Sequence, residues 1–289
     1  LRTVDPIERM KENRMEPITY TGDKGYKLGD VLDKKVTMEE FVAQLSDEDL
    51  ICIFRGEGMC SPKVTPGTAA AFGGLTPELQ EFGIPAACCT DGPSGLRFDC
   101  GTRAFSMPNG TLLGCTFDLP LVEDLYEMAG REMRQNRVDA LLGPGMNIHR
   151  NPLCGRNYEY YSEDPYLSGM LAAAVIRGVQ SKSGCGVTIK HFACNNQEDN
   201  RMGVDSRVSE RALREIYLRG FEIAVKEGNP VSIMTSYNLI NGIHAANSKD
   251  LCMTVARKEW GFDGAIMSDW NTTVPEDGSV PWKCVAAGN

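Results

Sequence analysis

The 289-residue chain has few histidines, no C-x-x-C pair and no long apolar run. Its three histidines, His149, His191 and His244, do not have the spacing of a metal site, so we expect neither a metal nor a cofactor. No window approaches the roughly 18 uninterrupted apolar residues of a membrane-spanning helix. Acidic residues outnumber basic ones by 39 to 30, which disfavours nucleic acid and anionic membrane as partners.

The eleven cysteines do not form a disulfide pattern. Their number is odd, no C-x-x-C pair occurs, and several lie in apolar stretches, among them Cys88, Cys89, Cys115 and Cys194. Disulfide-stapled scaffolds have even cysteine counts in small, loop-rich domains. We interpret these residues as reduced thiols that serve as small hydrophobic side chains, which favours a cytoplasmic location.

The chain is predicted to consist of a leading segment and one large domain. Residues 1–36 are polar and weakly periodic, which is typical of a linker, and residues 37–289 form the domain. In the domain, short apolar runs alternate with helical segments at about 118–137, 165–183, 208–228 and 248–260. Continuous apolar runs indicate buried parallel strands with helical crossovers. The predicted strands are Ile84–Thr90, Thr111–Thr116, Ala140–Ile148, Gly186–Ile189, Val231–Thr235 and Ala265–Met267.

The fold class that this rhythm favours is an α/β barrel. The G-x-G-x-x-G fingerprint of dinucleotide-binding folds is missing after the first strand, and Gly143–Gly145 has no third glycine. Five of the predicted strands are followed by polar groups, and a barrel gathers the carboxyl ends of its strands at one mouth. These groups are Asp91, His149, Lys190 with His191, Tyr237 with Asn238, and Asp269.

The residue types at these strand ends suit a neutral, polyhydroxylated ligand. Asp269 is a candidate nucleophile or general base, and the neighbouring Trp270 offers a flat apolar face for the C–H face of a sugar. Asp91, Lys190, His191 and Arg156 supply directional hydrogen bonds for hydroxyl groups. A phosphate group would require a glycine-rich turn that opens a helix, and none stands out.

Five ordered motifs resemble glycoside hydrolase family 3, and its β-glucosidase branch in particular. They are Asp91–Arg97 (DGPSGLR), Gly143–Ile148 (GPGMNI), Gly155–Pro165 (GRNYEYYSEDP), Lys190–Ala193 (KHFA) with Asn195–Glu198 (NNQE), and Ser268–Trp270 (SDW). The resemblance extends from about residue 30 to the last residue. It implies a (β/α)8 TIM-like barrel that is incomplete at the C-terminal end of this chain. It also implies retaining hydrolysis of terminal β-D-glycosides and an α/β sandwich domain that this chain lacks.

The resemblance also assigns roles to residues. Asp269 matches the nucleophile, and Asp91 matches the carboxylate that binds the outer hydroxyls of the terminal sugar. A further set matches the rest of that subsite: Arg97, Arg156, Lys190, His191, Met234, Tyr237 and Trp270. In addition, the resemblance suggests a non-proline cis peptide bond within 190–192. From the residues themselves we expect nearby Lys and Arg side chains to keep Asp269 ionised.

The second carboxyl group of the reaction is expected in the sandwich domain, so this chain alone is predicted to be inactive. We therefore interpret Glu159, Glu163 and Asp164 as structural residues that brace Arg156 and Lys190. Two alternatives remain open at this stage. One is a Schiff-base lyase that uses Lys190, and the other is a non-catalytic sugar-binding barrel.

Overall fold

The computed structural model describes residues 17–273 and 279–289, together with Glu8 and Lys11. The predicted leading segment is 1–36, and its first 16 residues, apart from Glu8 and Lys11, lie outside the described residues. The rest of that segment is bound to the domain through Gln44, whose Oε1 accepts from the backbone amides of Lys24 (3.2 Å) and Tyr26 (3.1 Å). Helix α1 (Leu28–Leu32) follows this contact.

Two short capped helices begin the domain. Thr37 forms a capping box, because its hydroxyl accepts from the Glu40 amide at the start of α2 (Met38–Ala43). A second helix begins within a few residues of the end of α2. Ser46 forms another capping box with Asp49, and α3 (Asp47–Arg55) starts there.

Six strands form one mixed sheet. They are β1 (Ala70–Gly73), β2 (Ala86–Asp91), β3 (Ala140–Leu142), β4 (Gly186–Phe192), β6 (Ser232–Thr235) and β9 (Ala265–Ser268). Their spatial order is β1-β2-β3-β4-β6-β9, and the pairs from β2 to β9 are parallel. The expected all-parallel sheet is wrong at its first strand, because β1 was not among the predicted strands and pairs antiparallel with β2. A small second sheet contains β5 (Asp205–Ser206), β7 (Leu239–Ile240) and β8 (Ile243–His244).

The helical segments agree with the sequence pattern. After α4 (Pro77–Glu81), the long crossovers are α6 (Leu119–Gln135), capped by Asp118, and α7 (Pro165–Gln180), capped by Asp164. α8 (Glu210–Ala212) continues through a π-helical stretch into α9 (Arg219–Gly228). A π-helical segment covers Asp250–Glu259, and α10 spans Pro281–Ala287. None of the described helices is long and apolar enough to cross a membrane.

Two predicted strands differ from the structure. The stretch Thr111–Thr116 belongs to helix α5 (Gly110–Gly114), because the side chain of Asn109 accepts from the Leu112 amide and caps a helix there. Of the predicted strand Ala140–Ile148, β3 covers only the part up to Leu142, and pairing resumes as an isolated parallel bridge between Gly145 and Lys190. Pro144 follows at once, and without an amide hydrogen it cannot donate to a strand ladder.

The cysteines follow the predicted pattern in part. All eleven are free, and seven are buried, including Cys88, Cys89 and Cys194. Cys115 is exposed, as are Cys60 and Cys100, so the interpretation as buried hydrophobic side chains is wrong for these three. Cys115 lies just beyond the end of α5, where its side chain faces solvent rather than the core.

The sheet places one small cluster of buried side chains beneath the strand ends. It contains Cys89 from β2, Ala140 and Leu142 from β3, and Met234 from β6. The main core lies between the sheet and the crossover helices, with α7 contributing Leu171, Val175 and other buried residues. Because β2, β4, β6 and β9 run parallel, their carboxyl ends lie along one edge of the sheet.

Candidate active site

The first pair of charged residues at this edge is Asp91 and Lys190. Lys190 is buried, and its Nζ donates to Oδ1 of Asp91 at 2.7 Å. Burial pushes the pKa of Asp91 upward, but the charge and hydrogen bond of Lys190 outweigh it, so the pKa is lowered. Arg97 is largely exposed and stands further off, at 3.9 Å from Oδ2 of Asp91, while it pairs with Asp99 at 3.0 Å.

Arg156 forms an ion pair with the carboxylate of Glu159. It precedes a 3₁₀ turn, Asn157–Glu159, and its Nε donates to Oε1 of the buried Glu159. The prediction that Glu159 braces Arg156 is therefore confirmed. The expectation that Glu159, Glu163 and Asp164 also brace Lys190 is wrong. Lys190 pairs with Asp91 instead. Asp164 caps α7, and Glu163 is exposed.

His191 is fixed by its backbone and by its ring. Asn147 pairs with both its backbone groups, accepting from the amide and donating to the carbonyl oxygen, each at 2.9 Å. The Lys190–His191 bond is cis, as expected within 190–192, and the Phe192–Ala193 bond, for which no such expectation was made, is cis as well. Its Nδ1 lies 3.2 Å from the hydroxyl of Tyr160. Burial, followed by the positive charges of Arg156 and Lys190, lowers the pKa of His191 well below its usual value, so the ring is neutral.

Asp269 follows β9 and has two unlike oxygen atoms. Oδ1 accepts from the backbone amide of Trp270 at 2.7 Å. Oδ2 lies 3.6 Å from Nε2 of His191 and has no hydrogen-bond partner among the described residues. Burial raises the pKa of Asp269, and this effect exceeds the opposing ones of Lys190, the Trp270 amide and Arg156. Cations are nearby as expected, but they lower the pKa of Asp269 by less than desolvation raises it.

Tyr237, Trp270 and Met234, which the resemblance assigns to the sugar subsite, occupy different positions. Tyr237 is buried, and its hydroxyl donates to the carbonyl oxygen of Trp270, so it lies directly beside Asp269. Burial, and then the charge of Asp269, raise the pKa of Tyr237. Trp270 is 36% exposed and presents an aromatic surface to solvent. Met234 lies beneath the site in the small buried cluster of the sheet.

Sequence reasoning gave no individual role to several residues of the site. Asn195 donates to the Tyr160 hydroxyl at 2.9 Å and to Oε1 of Glu198 at 2.8 Å. Arg201 donates to Oε2 of Glu198 at 3.0 Å and lies 4.7 Å from the ring centre of Tyr237. Asn195 and Glu198 lie in a quoted motif, which is the one signal that could have found them. Within the described ranges, no group of three or more His, Cys, Asp or Glu could hold a metal ion.

Residues 22–277 match the family model described as the glycosyl hydrolase family 3 N-terminal domain. The chain belongs to glycosyl hydrolase family 3. The resemblance on which the residue roles were expected is thus correct at the level of the family. The mixed α/β sheet with functional groups at its carboxyl edge is the family 3 scaffold in this chain.

Known relatives of this family 3 chain are longer than the chain itself. A β-glucosidase of Ruminococcus albus is 60% identical over 283 residues, which are 98% of this chain and 30% of that protein. An exo-α-(1→6)-L-arabinopyranosidase of Bifidobacterium longum is 48% identical over 203 residues, 66% of this chain and 27% of that protein. The crystal structure of a β-glucosidase from Paenibacillus barengoltzii is 56% identical, with a TM-score of 0.92, covering 100% of this chain and 32% of that one. The chain therefore spans about a third of the length of these relatives.

The other carboxylates of this family 3 site are each held by a cation. Glu159 is bonded to Arg156, Glu198 is bonded to Arg201, and Asp91 is bonded to Lys190. In each of these pairs a carboxylate oxygen accepts a hydrogen bond from the cation. Asp269 differs from all three because one of its oxygens is buried without a partner among the described residues.

Proposed function

We propose that this chain is the nucleophile-bearing part of a retaining glycosidase that hydrolyses terminal β-D-glycosides in the manner of a β-glucosidase. The observation that carries the proposal is the buried, unpartnered Oδ2 of Asp269 at the edge of the sheet where Asp91, Lys190 and His191 also lie. A carboxylate oxygen whose lone pairs are not taken up by protein donors is available to attack an electrophilic carbon. The side chains around it are the kind that bind hydroxyl groups.

In the proposed reaction, Asp269 attacks the anomeric carbon and the bond to the leaving oxygen breaks. A second carboxyl group protonates that oxygen as it leaves, and a glycosyl-enzyme ester forms. Water then attacks the ester with the second group acting as base, which restores Asp269 and the configuration at the anomeric carbon. Asp269 reacts as the anion, and the positive charges of Lys190, Arg156 and Arg201 favour that form against the effect of burial.

The sugar that occupies this site is proposed to bind through paired charges and aromatic surface. The Asp91–Lys190 pair offers both an acceptor and a donor, which suits adjacent hydroxyl groups of one ring. Arg156 and His191 provide further donors next to it, and the exposed Arg97 closes the outer side. Trp270 and Tyr237 supply the apolar wall beside Asp269, while Met234 shapes the floor from below.

The acid partner is proposed to lie outside this chain. The carboxylates Asp91, Glu159 and Glu198 are each held by a cation. The chain also covers only 30% of the length of the Ruminococcus albus relative. We propose that the remainder of a longer polypeptide contributes an α/β sandwich domain that carries the acid residue. We also propose that further strands of that polypeptide, outside the sandwich domain, complete a (β/α)8 barrel. The free thiols agree with a reducing, cytoplasmic location for that polypeptide.

The test is covalent trapping in the full polypeptide that carries this chain. A 2-deoxy-2-fluoro-β-D-glucoside with a good leaving group slows both steps, so the ester accumulates and its mass identifies the labelled peptide. We expect the label on the peptide that contains Asp269 and none on the peptide that contains Asp91. Because one of the relatives is named an arabinopyranosidase, the corresponding 2-fluoro-α-L-arabinopyranoside is run in parallel. A label on another carboxylate would refute the proposed nucleophile.

The lyase alternative is disfavoured by the geometry of Lys190. Schiff-base formation requires an amine that is free to attack a carbonyl group, whereas the Nζ of Lys190 donates a hydrogen bond to Oδ1 of Asp91 at 2.7 Å. Borohydride in the presence of an aldehyde or ketone substrate should therefore leave Lys190 unmodified. Sugar binding without any trapped ester in the full polypeptide would instead favour the non-catalytic barrel.

A further inference from the structure

Four residues form one continuous chain of hydrogen bonds that ends beside Asp269. Asn195 connects Glu198 to the hydroxyl of Tyr160, and that hydroxyl lies 3.2 Å from Nδ1 of His191. We propose that Asn195 and Tyr160 are positioning residues that hold His191 as the Nε2–H tautomer, so that the ring presents an N–H donor toward Oδ2 of Asp269. The value of this tautomer for turnover rests on the function proposed above, whereas its existence does not.

The direction of the hydrogen bonds is set at Glu198. An ionised carboxylate only accepts, and Oε2 of Glu198 is already bonded to Arg201 at 3.0 Å. The atom of Asn195 that lies 2.8 Å from Oε1 must therefore be the amide nitrogen, because its oxygen would be repelled there. The same nitrogen has a second hydrogen, and it points to the Tyr160 hydroxyl at 2.9 Å. Asn195 is thus a donor to both neighbours.

The hydroxyl of Tyr160 in turn donates to Nδ1 of His191. Its side chain is fully buried, and its oxygen already accepts from Asn195. Its own hydrogen then has one acceptor among the described residues, which is Nδ1 of His191. Burial raises the pKa of Tyr160 well above its usual value, so the hydroxyl keeps its proton. Nδ1 therefore carries a lone pair, and because the buried ring is neutral, its single proton is on Nε2.

The two tautomers differ at the atom that faces Asp269. With Nε2 protonated, an N–H dipole points at a buried carboxylate oxygen 3.6 Å away, which favours its negative charge. With Nδ1 protonated, a nitrogen lone pair would face that oxygen and repel it. At 3.6 Å the contact is too long for a hydrogen bond, so the same N–H is also free to bind a sugar hydroxyl.

The experiment reads the tautomer directly in the full polypeptide that carries this chain. The protein is labelled with histidine that contains ¹⁵N only at Nδ1, and its magic-angle-spinning NMR spectrum is compared with that of a His191→Gln variant. The difference spectrum shows His191 alone. We expect an unprotonated, pyridine-type Nδ1 in the unsubstituted protein, and a protonated, pyrrole-type Nδ1 would overturn the proposal. Neither result requires any glycosidase activity, so failure of the proposed function is recognised separately, by the trapping experiment.

The matched variants are Tyr160→Phe and Tyr161→Phe. Both residues are buried tyrosines, but the hydroxyl of Tyr161 pairs with Tyr126 instead of His191. We expect Tyr160→Phe to shift the His191 signal to the protonated form and to lower kcat/KM for an aryl glycoside about ten- to one-hundredfold. Tyr161→Phe should leave the signal in place. An unchanged His191 signal in Tyr160→Phe, or equal changes in both variants, would overturn the proposal.

A second variant covers the case in which Tyr160→Phe does not fold. The double variant Asn195→Asp/Glu198→Gln exchanges the amide and the carboxylate while keeping the shape and the net charge. Position 195 then accepts from Tyr160, and the Tyr160 oxygen has to accept from Nδ1–H of His191. We expect this reversal to move the proton from Nε2 to Nδ1 with Tyr160 intact. Retention of the pyridine-type Nδ1 signal would overturn the proposed route.

Discussion

Oδ2 of Asp269 lies 3.6 Å from Nε2 of His191, buried and without a hydrogen-bond partner among the described residues. An unsatisfied buried acceptor typically costs about 1–3 kcal/mol of stability. Such groups are rare in folded proteins and concentrate where chemistry requires a free atom. In this site the cost falls on Asp269, whereas Asp91, Glu159 and Glu198 are each paired with a cation.

The stability difference between Asp269→Asn and the unsubstituted protein should depend on pH. Burial raises the pKa of Asp269 above its usual 3.8, so the folded state binds this proton more tightly than the unfolded chain. Below the unfolded value both states are protonated and no penalty exists. As the pH rises through the folded pKa, ionisation penalises the folded state alone. Since Asn has no such penalty, the melting temperature of the variant relative to the unsubstituted protein should increase as the pH rises above about 4.

Calorimetry across this pH range checks that expectation, with Asp263→Asn as its control. Asp263 is an exposed aspartate six positions earlier in the chain, so its substitution removes the same charge without relieving burial. Its melting temperature relative to the unsubstituted protein should change much less with pH. A difference for Asp269→Asn that stays flat or declines with rising pH would show that burial does not dominate the pKa of Asp269.

This pKa illustrates what the sequence could and could not reveal about the site. Asp269, Asp91 and Lys190 were predictable because each follows a continuous apolar run, and parallel strands bring such residues to one edge. The sequence also showed that cations would be nearby. The balance between those charges and desolvation was not predictable, since it depends on how completely the folded chain covers Asp269.

The same distinction applies to the fold. β4, β6 and β9 are apolar runs of the expected kind, and their positions were predicted correctly. β1 was missed because its residues, Ala70–Gly73, have little intrinsic preference for strands and are fixed by pairing with β2 and by a bridge between Ala71 and Glu57. Helix α5 was taken for a strand because a short apolar run cannot be assigned by periodicity, and the cap at Asn109 decides it.

The pair of Asp91 and Lys190 should show an asymmetric response to substitution. Lys190 is 4% exposed at its side chain and Asp91 is 34% exposed. Asp91→Asn leaves a buried ammonium group without its counter-ion, whereas Lys190→Met leaves a carboxylate that water still reaches. We therefore expect Asp91→Asn to destabilise the fold more, with a coupling free energy of about 1–3 kcal/mol in a double-mutant cycle.

Urea unfolding of the two single variants and the double variant measures this coupling. The comparison pair is Lys63 and Glu57, which lie 2.6 Å apart but are both more exposed, at 44% and 35%. Exposed pairs contribute about 0–1 kcal/mol, so their coupling should be smaller. Equal coupling in the two pairs would mean that burial of Lys190 adds nothing to its interaction with Asp91.

Gly145 should not tolerate a side chain. A Cβ atom there would lie 2.8 Å from Cε1 and 3.0 Å from Cδ1 of Tyr160, and 3.3 Å from Oε2 of Glu159. Both neighbours are buried, so the Tyr160 ring would have to move away from His191. We expect Gly145→Ala to destabilise the fold by about 1–3 kcal/mol in urea unfolding. Gly155→Ala is the control, because no atom lies within 4 Å of its Cβ position, and it should be close to neutral.

The acid of the proposed reaction can be located by comparing substrates with good and poor leaving groups in the full polypeptide that carries this chain. An aryl glycoside with a good leaving group needs little protonation, so loss of the acid slows its first step far less than that of an alkyl glycoside. Asp269→Asn removes the nucleophile and should abolish turnover of both, a fall of at least about a thousandfold.

Glu159→Ala and Glu198→Ala should instead slow both substrates to a similar degree, because these carboxylates hold Arg156 and Arg201 rather than donate protons. Azide should not restore either variant. Formation of a β-glycosyl azide by Glu159→Ala or Glu198→Ala would place the acid inside this chain, since azide replaces water efficiently only where the missing carboxylate was the base of the second step.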